Sequence, residues 1–469
     1  MPKSESYEID MCSGPILKKM LYFSLPLMCS GVLQLLFNAA DIIVVGRYAG
    51  DNSMAAVGSN AALINLLTNL FIGLSVGANV LAARYFGAKR ERELRATVHT
   101  SMLLALCSGT VLIVVGIAGA RQVLIWMQAP AGVLDLAVLY LRIFFLGMPA
   151  MMLYNFGAAL LRAKGDTRRP LYFLLLSGAV NVALNLLLVI VFHLDVAGVA
   201  IATVISQCIS AVLVVICLMR ETGGFRLELK ALRIHKDQLV GILRVGLPAG
   251  VQGVIFSLSN VVIQSSINSF GEVVMAGSTA SANIEGFVYT AMNAVYQATL
   301  SFSSQNAGAG RLDRINRILL TGQGCVTATG LMLGVGAWQA GRVLLGIYTQ
   351  DPAVIEAGFV RLGIVCAPYA ICGMMDTMVG ALRGIGYSVM PMIVSLMGAC
   401  ILRLVWIATV FQIPGYHTPE CVYWSYPVSW TVTLLAHILC YIWAKRRVDR
   451  RFADAHLQRK TDPLLENTK

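Results

Sequence analysis

Charged residues are scarce in this sequence: Asp, Glu, Lys and Arg make up 13% of its 469 residues, whereas an ordinary soluble domain has about 25%. This shortage excludes a water-soluble fold, because the surface of such a fold needs more charge. Hydrophobic residues make up 57% instead, and apolar runs of about twenty residues, long enough to cross a bilayer, recur from end to end. The sequence therefore predicts an all-α polytopic membrane protein in which no separate soluble domain has room.

Motifs for several kinds of chemistry are missing as well. The eleven cysteines are scattered without a Cys-x-x-Cys or a Cys/His ligand spacing, so neither a zinc site nor a disulfide framework is predicted. The phosphate-binding loop of an ATPase is absent, and so are the Asp-rich repeats of a membrane prenyl-transfer enzyme and any Ser/His/Asp grouping. We therefore predict a protein that is not an enzyme and needs no cofactor.

Twelve apolar segments, separated by charged or turn-rich breaks, are predicted to form transmembrane helices, which we number as spans 1 to 12. They begin near residues 16, 53, 95, 132, 170, 196, 238, 273, 318, 355, 388 and 421. Positive residues give the orientation, since they are retained on the cytoplasmic side. Of the 36 basic residues, 29 lie in the terminal segments or in the loops after even-numbered spans. We therefore expect a multi-pass protein of the cell (inner) membrane with both termini in the cytoplasm.

The seven remaining basic residues fall elsewhere. Four are placed in the outer loops: Arg47, Arg121, Arg342 and Arg361. Three lie within spans or at their ends: Arg142, Arg244 and Arg403. The net charge of +12 thus reflects membrane topology, so we expect the lipid bilayer as a partner and no nucleic acid.

The two halves of the chain repeat each other at an offset of about 220 residues. The pattern R-x-x-G-x4-P begins at Arg162 and again at Arg383, and the Leu-Pro pair of span 1 returns in span 7. Copies of six spans keep the same orientation, so an axis along the membrane normal relates them, as in many transporters. The sequence predicts two pseudo-symmetric six-helix lobes, 1–219 and 238–446, a cytoplasmic linker, 220–237, and a basic cytoplasmic tail, 447–469.

Prolines occupy matching places in the two lobes, where Pro26 pairs with Pro248 and Pro149 pairs with Pro368. We interpret them as positions at which the helices are interrupted and the backbone bends around a cavity. The alternative is that they are tolerated kinks with only a packing role.

Only three of the 24 acidic residues fall well inside apolar segments: Asp41, Glu285 and Asp376. An ionised carboxylate is expensive there, so each marks a functional site by default. The alternative is a structural ion pair, for which Arg403 is the expected partner. Glu285 is left with three interpretations: ion coupling, substrate contact or a salt bridge.

Polar residues of three spans share the depth of Asp41. A rise of 1.5 Å per residue, counted from the nearest outer break, puts Asp41 about 9 Å deep and its companions at about 12 to 18 Å. Carboxylate, amide and hydroxyl oxygens suit Na⁺, or a carboxylate that burial makes able to carry a proton. We predict an ion-coupling site, with the carboxylate as the candidate Na⁺ ligand, made of Asp41, Asn181, Asn185 and Thr203. The alternative for the asparagine pair is ordinary hydrogen bonding between helices.

A second set of polar residues is assigned to substrate binding or to a second coupling site. It consists of Gln34, Asn38, Asn155, Glu285 and Asp376. The first two form one helical stripe with Asp41 on span 1. Asn155 occupies the place in the first half that Asp376 occupies in the second, so the two halves differ in function.

Five segments resemble the multidrug and toxic compound extrusion (MATE) family, in its bacterial NorM and DinF-like branches. They are NAADIIVVGRYAGDNSMAAVG (38–58), LLRAKGDTRRP (160–170), GVAIATVISQ (198–207), QNAGAGRLDR (305–314) and ALRGIGYSVMP (381–391). The resemblance covers essentially the whole chain and implies a V-shaped pair of six-helix bundles. It also implies export of amphipathic, mostly cationic drugs, driven by inward Na⁺ or H⁺, and we expect a monomer.

The resemblance also implies which residues form the functional sites. The family's helix 1 acid matches Asp41, and its amino-lobe ion site is completed by residues that match Asn181, Asn185 and Thr203. The helix 10 acid of NorM-type members matches Asp376, but their helix 7 glutamate falls near Phe256, where this chain has no acid.

Two other functions stay open at this point. A lipid-linked sugar flippase of the same superfamily would have extra helices and a cavity lined by several cations. A membrane-embedded enzyme would need catalytic residues clustered at one interface.

Overall fold

The computed structural model of the chain describes residues 7–126 and 131–461, and every regular element within those ranges is a helix. The hydropathy of the sequence accounts for this, because a helix satisfies its backbone hydrogen bonds internally and can therefore lie in lipid. The helices form two lobes that follow one another along the chain.

The amino-terminal lobe contains seven α-helices that make six crossings. They are α1 (Ile16–Tyr48), α2 (Asp51–Gly87), α3 (Glu91–Trp126), α4 (Ala131–Leu146), α5 (Met148–Lys164), α6 (Arg168–Leu186) and α7 (Asp195–Met219). Helices α4 and α5 form one crossing that bends by 49°. Helix α6 continues as a π-helical turn, Leu187–Val191.

Two short 3-10 turns, Gly223–Phe225 and Leu229–Ala231, lie between the lobes. Phe225 and Leu227 are buried in the core of the amino-terminal lobe, so this connection is anchored to that lobe. The linker boundaries, 220–237, stay a prediction; α7 ends at Met219 and the next helix begins at Lys236.

The carboxyl-terminal lobe contains nine α-helices that again make six crossings. They are α8 (Lys236–Asn268), α9 (Glu272–Gly308), α10 (Leu312–Gln339), α11 (Gly341–Gly346), α12 (Pro352–Arg361), α13 (Ala370–Gly384), α14 (Val389–Ser395), α15 (Leu402–Ala408) and α16 (Pro419–Thr461). The span made of α12, a π-helical turn and α13 bends by 41°. Another π-helical turn, Leu396–Ile401, joins α14 to α15.

The helices account for all twelve predicted spans. Within the described residues, nine helices are long and apolar enough to cross a membrane by themselves, and two bent pairs raise the number to eleven. Helix α9 is the twelfth: it has 37 residues and packs among α2, α10, α12 and α13, but its Ser, Thr and Asn side chains lower its hydropathy. The prediction of twelve spans is confirmed, and each begins within about six residues of its predicted start.

The predicted tail, 447–469, begins inside α16, which continues to Thr461. Residues 462–469 lie outside the described part of the chain. The division into lobes, linker and tail at the stated residue numbers stays a prediction.

The four prolines occupy two kinds of position. Pro149 is the second residue of α5, next to the 49° bend, and Pro368 lies in the 41° break between α12 and α13. By contrast, Pro26 and Pro248 lie inside the continuous helices α1 and α8, so the prediction that they interrupt a helix is wrong. At Pro248 the reason is packing, because α2 lies directly against Gly246 and Gly250 on either side of it.

The lobes touch along the carboxyl-terminal halves of α2 and α9 and the amino-terminal half of α8. Gly73 and Gly77 of α2 lie against the α8 backbone at Gly250 and Gly246, so closely that a methyl group would overlap it. Nearer the carboxyl end of α2, Gly87 lies against the backbone of Gln305 in α9. In the orientation that the sequence predicts, these contacts close the cytoplasmic side.

Among the described residues, the glycine contacts and hydrogen bonds between α2 and α8 extend as far as the bond from Asn69 Nδ2 to Ser257 Oγ, which is 3.1 Å long. Further along α8, Leu258, Val261 and Val262 are exposed.

Candidate functional site

Helices α1, α6 and α7 bring Asp41 together with its three predicted companions. Asn185 Nδ2 donates to Asp41 Oδ1, and Thr203 Oγ1 lies 3.4 Å from Asp41 Oδ2. Asn185 Nδ2 also donates to Asn181 Oδ1 at 3.2 Å, and Asn181 Nδ2 lies 3.5 Å from Thr203 Oγ1. The four side chains thus form one hydrogen-bonded network, which we call the Asp41 network. Its role stays a prediction.

The local conformation of the chain places the network. Helix α6 ends at Leu186, the residue after Asn185, and continues as the π-helical turn Leu187–Val191. The chain then reverses through His193 and Asp195, which both have positive φ angles. This tight reversal starts α7 so close to α6 that Thr203, two turns into α7, lies beside Asn181.

Within the part of the chain that the structure describes, Asp41 has no compensating positive charge. It is 8% exposed, and among the described residues its electrostatic partners are the two hydrogen-bond donors Asn185 and Thr203 rather than a basic side chain. The Asn185 Oδ1 atom beside it is buried without a hydrogen-bond partner. Burying an unpaired carboxylate and an unpaired amide oxygen is unfavourable, and a Na⁺ ion or a proton would relieve that cost.

Tyr140 of α4 is a neighbour of Asp41 that sequence reasoning missed. It is 6% exposed, lies within electrostatic range of the carboxylate and stacks on Phe144 with ring centroids 5.8 Å apart. A tyrosine in an apolar helix carries little signal by itself, so only the packing of α4 reveals this contact.

Glu285 forms a buried ion pair with Arg361. Arg361 Nε and Nη2 donate to the Glu285 carboxylate at 2.8 and 3.0 Å, and Arg361 Nη1 donates to Ser278 Oγ at 2.6 Å. Arg361 is 5% exposed and Glu285 is 6% exposed. Of the three interpretations of Glu285, the structure shows the salt bridge.

Two expectations about arginines are therefore wrong. Arg361 does not lie in an outer loop but in the buried end of α12, because α12 and α13 together make one bent span. Arg403 is not the partner of an intramembrane acid: its Nε donates to Ser429 Oγ at 2.7 Å, and its guanidinium lies 4.2 Å from the ring centre of Tyr426.

The rest of the second predicted set is dispersed. Asp376 is half-buried on α13 within hydrogen-bonding reach of Tyr289. Asn155 donates to the Met151 carbonyl oxygen of its own helix at 2.9 Å, and Gln34 and Asn38 are exposed on α1. No hydrogen bond or ion pair between described side chains joins these residues to one another or to Glu285. Their roles stay predictions.

Comparison with known families gives a match in each lobe. The MatE family model matches residues 26–187 and again 248–409, well over half of the chain. The two matched stretches correspond to the two halves of the internal repeat.

Known relatives of similar length include two bacterial proteins. The probable multidrug resistance protein YoeA of Bacillus subtilis is 27% identical, over 92% of this chain and 95% of its own length. The multidrug export protein MepA of Staphylococcus aureus is 22% identical, over 91% of this chain and 93% of its own length.

Solved structures share the fold. One, described as the outward-facing conformation of a multidrug resistance MATE family transporter of the MOP superfamily, superposes with a TM-score of 0.85 at 20% identity. The match covers 96% of this chain and 99% of that one. A second, described as MATE in the bent conformation, gives a TM-score of 0.84 at 20% identity over 95% of this chain and 98% of that one. Both matches support the arrangement of twelve helices in two six-helix bundles.

Proposed function

Because this chain belongs to the MATE family of multidrug efflux transporters, we propose that it exports amphipathic, mostly cationic compounds in exchange for inward-moving Na⁺ or H⁺. The chain is a transporter and not an enzyme. We further propose that it works as a monomer in the cell membrane with both termini in the cytoplasm.

The Asp41 network is the observation that supports ion coupling. Among the described residues, the Asp41 carboxylate is buried without a counter-charge and the Asn185 Oδ1 atom has no hydrogen-bond partner, which favours a cation. Oxygen ligands of this kind suit a hard ion such as Na⁺, and the carboxylate alone can take a proton. In our proposal either ion reaches Asp41 from the outside.

Helix α1 can link this network to the contact between the lobes. Its outer half belongs to the amino-terminal lobe, since Phe37 packs on Gly178 of α6 and Asp41 lies in the network. Its inner half packs on the carboxyl-terminal lobe, where Met20 and Phe23 are buried with Phe302 of α9. A change in the conformation of α1 at one end would therefore be transmitted to the other lobe.

We propose alternating access on this basis. In this proposal, an ion that binds at Asp41 makes α1 bend near Pro26, which lies between the two contact regions. The affinity of the cavity between the lobes for the drug then falls, and the drug is released outward. The ion and the drug must prefer opposite states, because only a difference in affinity between two states moves their equilibrium.

The test is efflux from proteoliposomes that contain the full-length protein. We expect an imposed inward gradient of Na⁺ or of H⁺ to drive export of a cationic dye such as ethidium, and the effective gradient identifies the ion. In Asp41→Asn, which removes the charge but keeps the hydrogen-bonding shape, we expect gradient-driven export to be lost.

The matched control is Asp135→Asn. Asp135 is an exposed acid whose carboxylate pairs with Arg121 at 3.0 Å, so its loss should leave export unchanged. Full gradient-driven export in Asp41→Asn would overturn the proposed coupling site, and absence of dye export from the unaltered protein under both gradients would overturn the proposed substrate class.

A further inference from the structure

Helix α16 is much longer than a bilayer requires. It has 43 residues, which at 1.5 Å per residue make a rod of about 64 Å, whereas the hydrocarbon core of a membrane is about 30 Å thick. Its apolar part ends at Ala444, and residues 445–460 contain seven Lys or Arg against two Asp. The helix therefore carries a dense positive charge out of the membrane as one continuous element.

One face of α16 continues from the apolar part of the helix into the charged part. Its members are exposed and lie three, four, seven, eight and eleven residues after the first, which is the repeat of a single helix face. We call this face the α16 stripe, and it consists of Leu439, Ile442, Trp443, Arg446, Arg447 and Arg450. Leu439 is 70% exposed, so the apolar end of the stripe lies against lipid chains.

The opposite face of α16 is held in the carboxyl-terminal lobe. Tyr441 and Ala444 are buried in the core of this lobe, and the Tyr441 hydroxyl donates to Asn316 Oδ1 of α10 at 2.9 Å. Lys445 is buried as well, and its Nζ atom pairs with Asp449 at 2.5 Å. These contacts fix the rotation of the helix about its axis, so the α16 stripe points away from the protein.

Trp443 lies where the α16 stripe changes from apolar to basic. Its ring meets that of Tyr387 edge-on with centroids 5.8 Å apart, and the Arg447 guanidinium lies 5.3 Å from its centre. Tryptophan is typical of the boundary between acyl chains and headgroups, because its ring is apolar and its N–H is polar. Trp443 thus marks the membrane interface on this face, and the arginines of the stripe follow beside the headgroups.

The three arginines of the α16 stripe are free to bind an anion. Asp449, which lies between them in the sequence, pairs with Lys445. Within the part of the chain that the structure describes, no ion pair or hydrogen bond engages the guanidinium groups of Arg446, Arg447 and Arg450. The contact of Arg447 with Trp443 uses the face of the guanidinium, so its N–H groups stay available in the plane. Guanidinium groups bind phosphate through parallel hydrogen bonds.

We propose that the α16 stripe binds an anionic phospholipid, with its headgroup on the three arginines and an acyl chain along Leu439 and Ile442. In the orientation that the sequence predicts, the lipid belongs to the cytoplasmic leaflet. A zwitterionic phospholipid carries an amine that cancels its phosphate charge, so the site favours lipids with a net negative charge, such as phosphatidylglycerol. The inference does not depend on which ion or drug is transported.

The experiment uses Trp443 as the reporter. The full-length protein is reconstituted in phosphatidylcholine vesicles that contain a small fraction of either phosphatidylglycerol or phosphatidylcholine with brominated acyl chains, which quench tryptophan fluorescence on contact. The signal of Trp443 is the difference between the unaltered protein and Trp443→Phe. We expect phosphatidylglycerol to be favoured at Trp443 by at least about fivefold, since one basic side chain at a membrane surface contributes about that factor.

A triple variant tests the three arginines. When Arg446→Gln, Arg447→Gln and Arg450→Gln are combined, we expect the preference for phosphatidylglycerol at Trp443 to disappear, while quenching by brominated phosphatidylcholine stays the same. The matched control removes the same charge from three exposed residues in the connection between the lobes, which are Arg226, Lys230 and Arg233. With these replaced by Gln, the preference at Trp443 should be retained.

Three results would overturn the proposal. The first is equal quenching by the two brominated lipids in the unaltered protein, which does not depend on the folding of any arginine variant. The second is an equal loss of preference in the triple variant and in its control, because the overall surface charge and not the α16 stripe would then recruit the lipid. The third is loss of the preference on addition of inorganic phosphate at constant ionic strength, because the arginines would then hold a free anion instead of a lipid.

Discussion

Two intramembrane acids of this protein have the same chemistry but opposite surroundings. Glu285 meets the guanidinium of Arg361 in a bidentate pair, so its charge is compensated within the protein. Among the described residues, Asp41 accepts from an amide and a hydroxyl, and its charge is not compensated there. The first arrangement joins two helices of its lobe by a charged pair, whereas the second leaves the carboxylate that we propose as the ion site.

The pair of Glu285 and Arg361 gives a prediction for stability. Glu285→Gln leaves Arg361 buried without its counter-charge, which costs about 3 to 5 kcal/mol. We expect a lower thermal unfolding midpoint in detergent, and a partial recovery in the double variant Glu285→Gln with Arg361→Met, which removes the orphaned charge.

The exposed pair between Arg342 and Glu356 is the control for that prediction. Its shortest contact is 3.1 Å, but its side chains are 63% and 58% exposed, and pairs of this kind contribute about 0 to 1 kcal/mol. Glu356→Gln should therefore leave the midpoint nearly unchanged. An equal effect of the two glutamate substitutions would contradict the distinction between buried and exposed pairs.

At the scale of the elements, small residues decide where the lobes meet. Gly73 and Gly77 allow α2 to lie on the α8 backbone, and Gly-x-x-x-Gly spacing is common where helices pack closely in membranes. The same spacing at Gly46 and Gly50 brings no helix backbone this close: a methyl group on Gly46 would meet the Met54 side chain, and one on Gly50 would meet nothing within 4 Å. The motif alone therefore does not locate an interface.

Gly73→Ala tests this closure. The added methyl group would overlap the backbone of Gly250, so the lobes would have to separate on the cytoplasmic side. We expect a shift towards the cytoplasm-open state, measured as a longer distance between spin labels on the cytoplasmic ends of α3 and α10.

Gly324→Ala is the companion variant, because its methyl group meets nothing within 4 Å. Its label distances should match those of the unaltered protein. If Gly73→Ala and Gly324→Ala gave the same distribution of distances, the glycine contacts between α2 and α8 would not control closure.

At the scale of the whole molecule, the segment before α1 contacts both lobes. In the amino-terminal lobe, Glu8 pairs with Lys164 and the Ile9 amide donates to the Gly165 carbonyl oxygen at 3.3 Å. In the carboxyl-terminal lobe, Asn306 Nδ2 donates to the Met11 carbonyl oxygen at 2.9 Å. Separation of the lobes must break one of these two attachments.

Glu221 is a second acidic partner of Lys164 in the amino-terminal lobe. It pairs with Lys164 and with Arg169, each at 2.5 Å. Burial raises the pKa of Glu221, but the hydrogen bonds and charges of those two cations outweigh burial and hold its pKa below the ordinary value. The stabilisation is thus fully present above the unfolded-state pKa and is lost as pH falls through the lowered folded-state pKa.

We therefore expect Glu221→Gln to lower the thermal unfolding midpoint at neutral pH, with a difference from the unaltered protein that shrinks as pH falls below about 4. The neighbouring Glu228 is half-exposed, and its contacts with Arg95 and Arg226 are 4.0 and 3.9 Å, so Glu228→Gln serves as the control. A difference that stayed constant from pH 7 to pH 3 would refute the assignment.

The sequence by itself determined the twelve spans, the repeat and the depth shared by Asp41, Asn181, Asn185 and Thr203, and it predicts the orientation. These features follow from hydropathy, charge bias and the constant rise of a helix, which are properties of the chain read one segment at a time. For the same reason, the resemblance to the MATE family could be found from short segments.

Only the tertiary structure decided which side chains meet across helices. The partner of Glu285 is Arg361 and not Arg403, because a 41° bend carries the end of α12 into the lobe. Tyr140 lies near Asp41 because of how α4 packs, and the contact between the lobes includes close approaches such as that of Gly87 to Gln305. Such contacts join residues far apart in the chain, so periodicity within one segment carries no information about them.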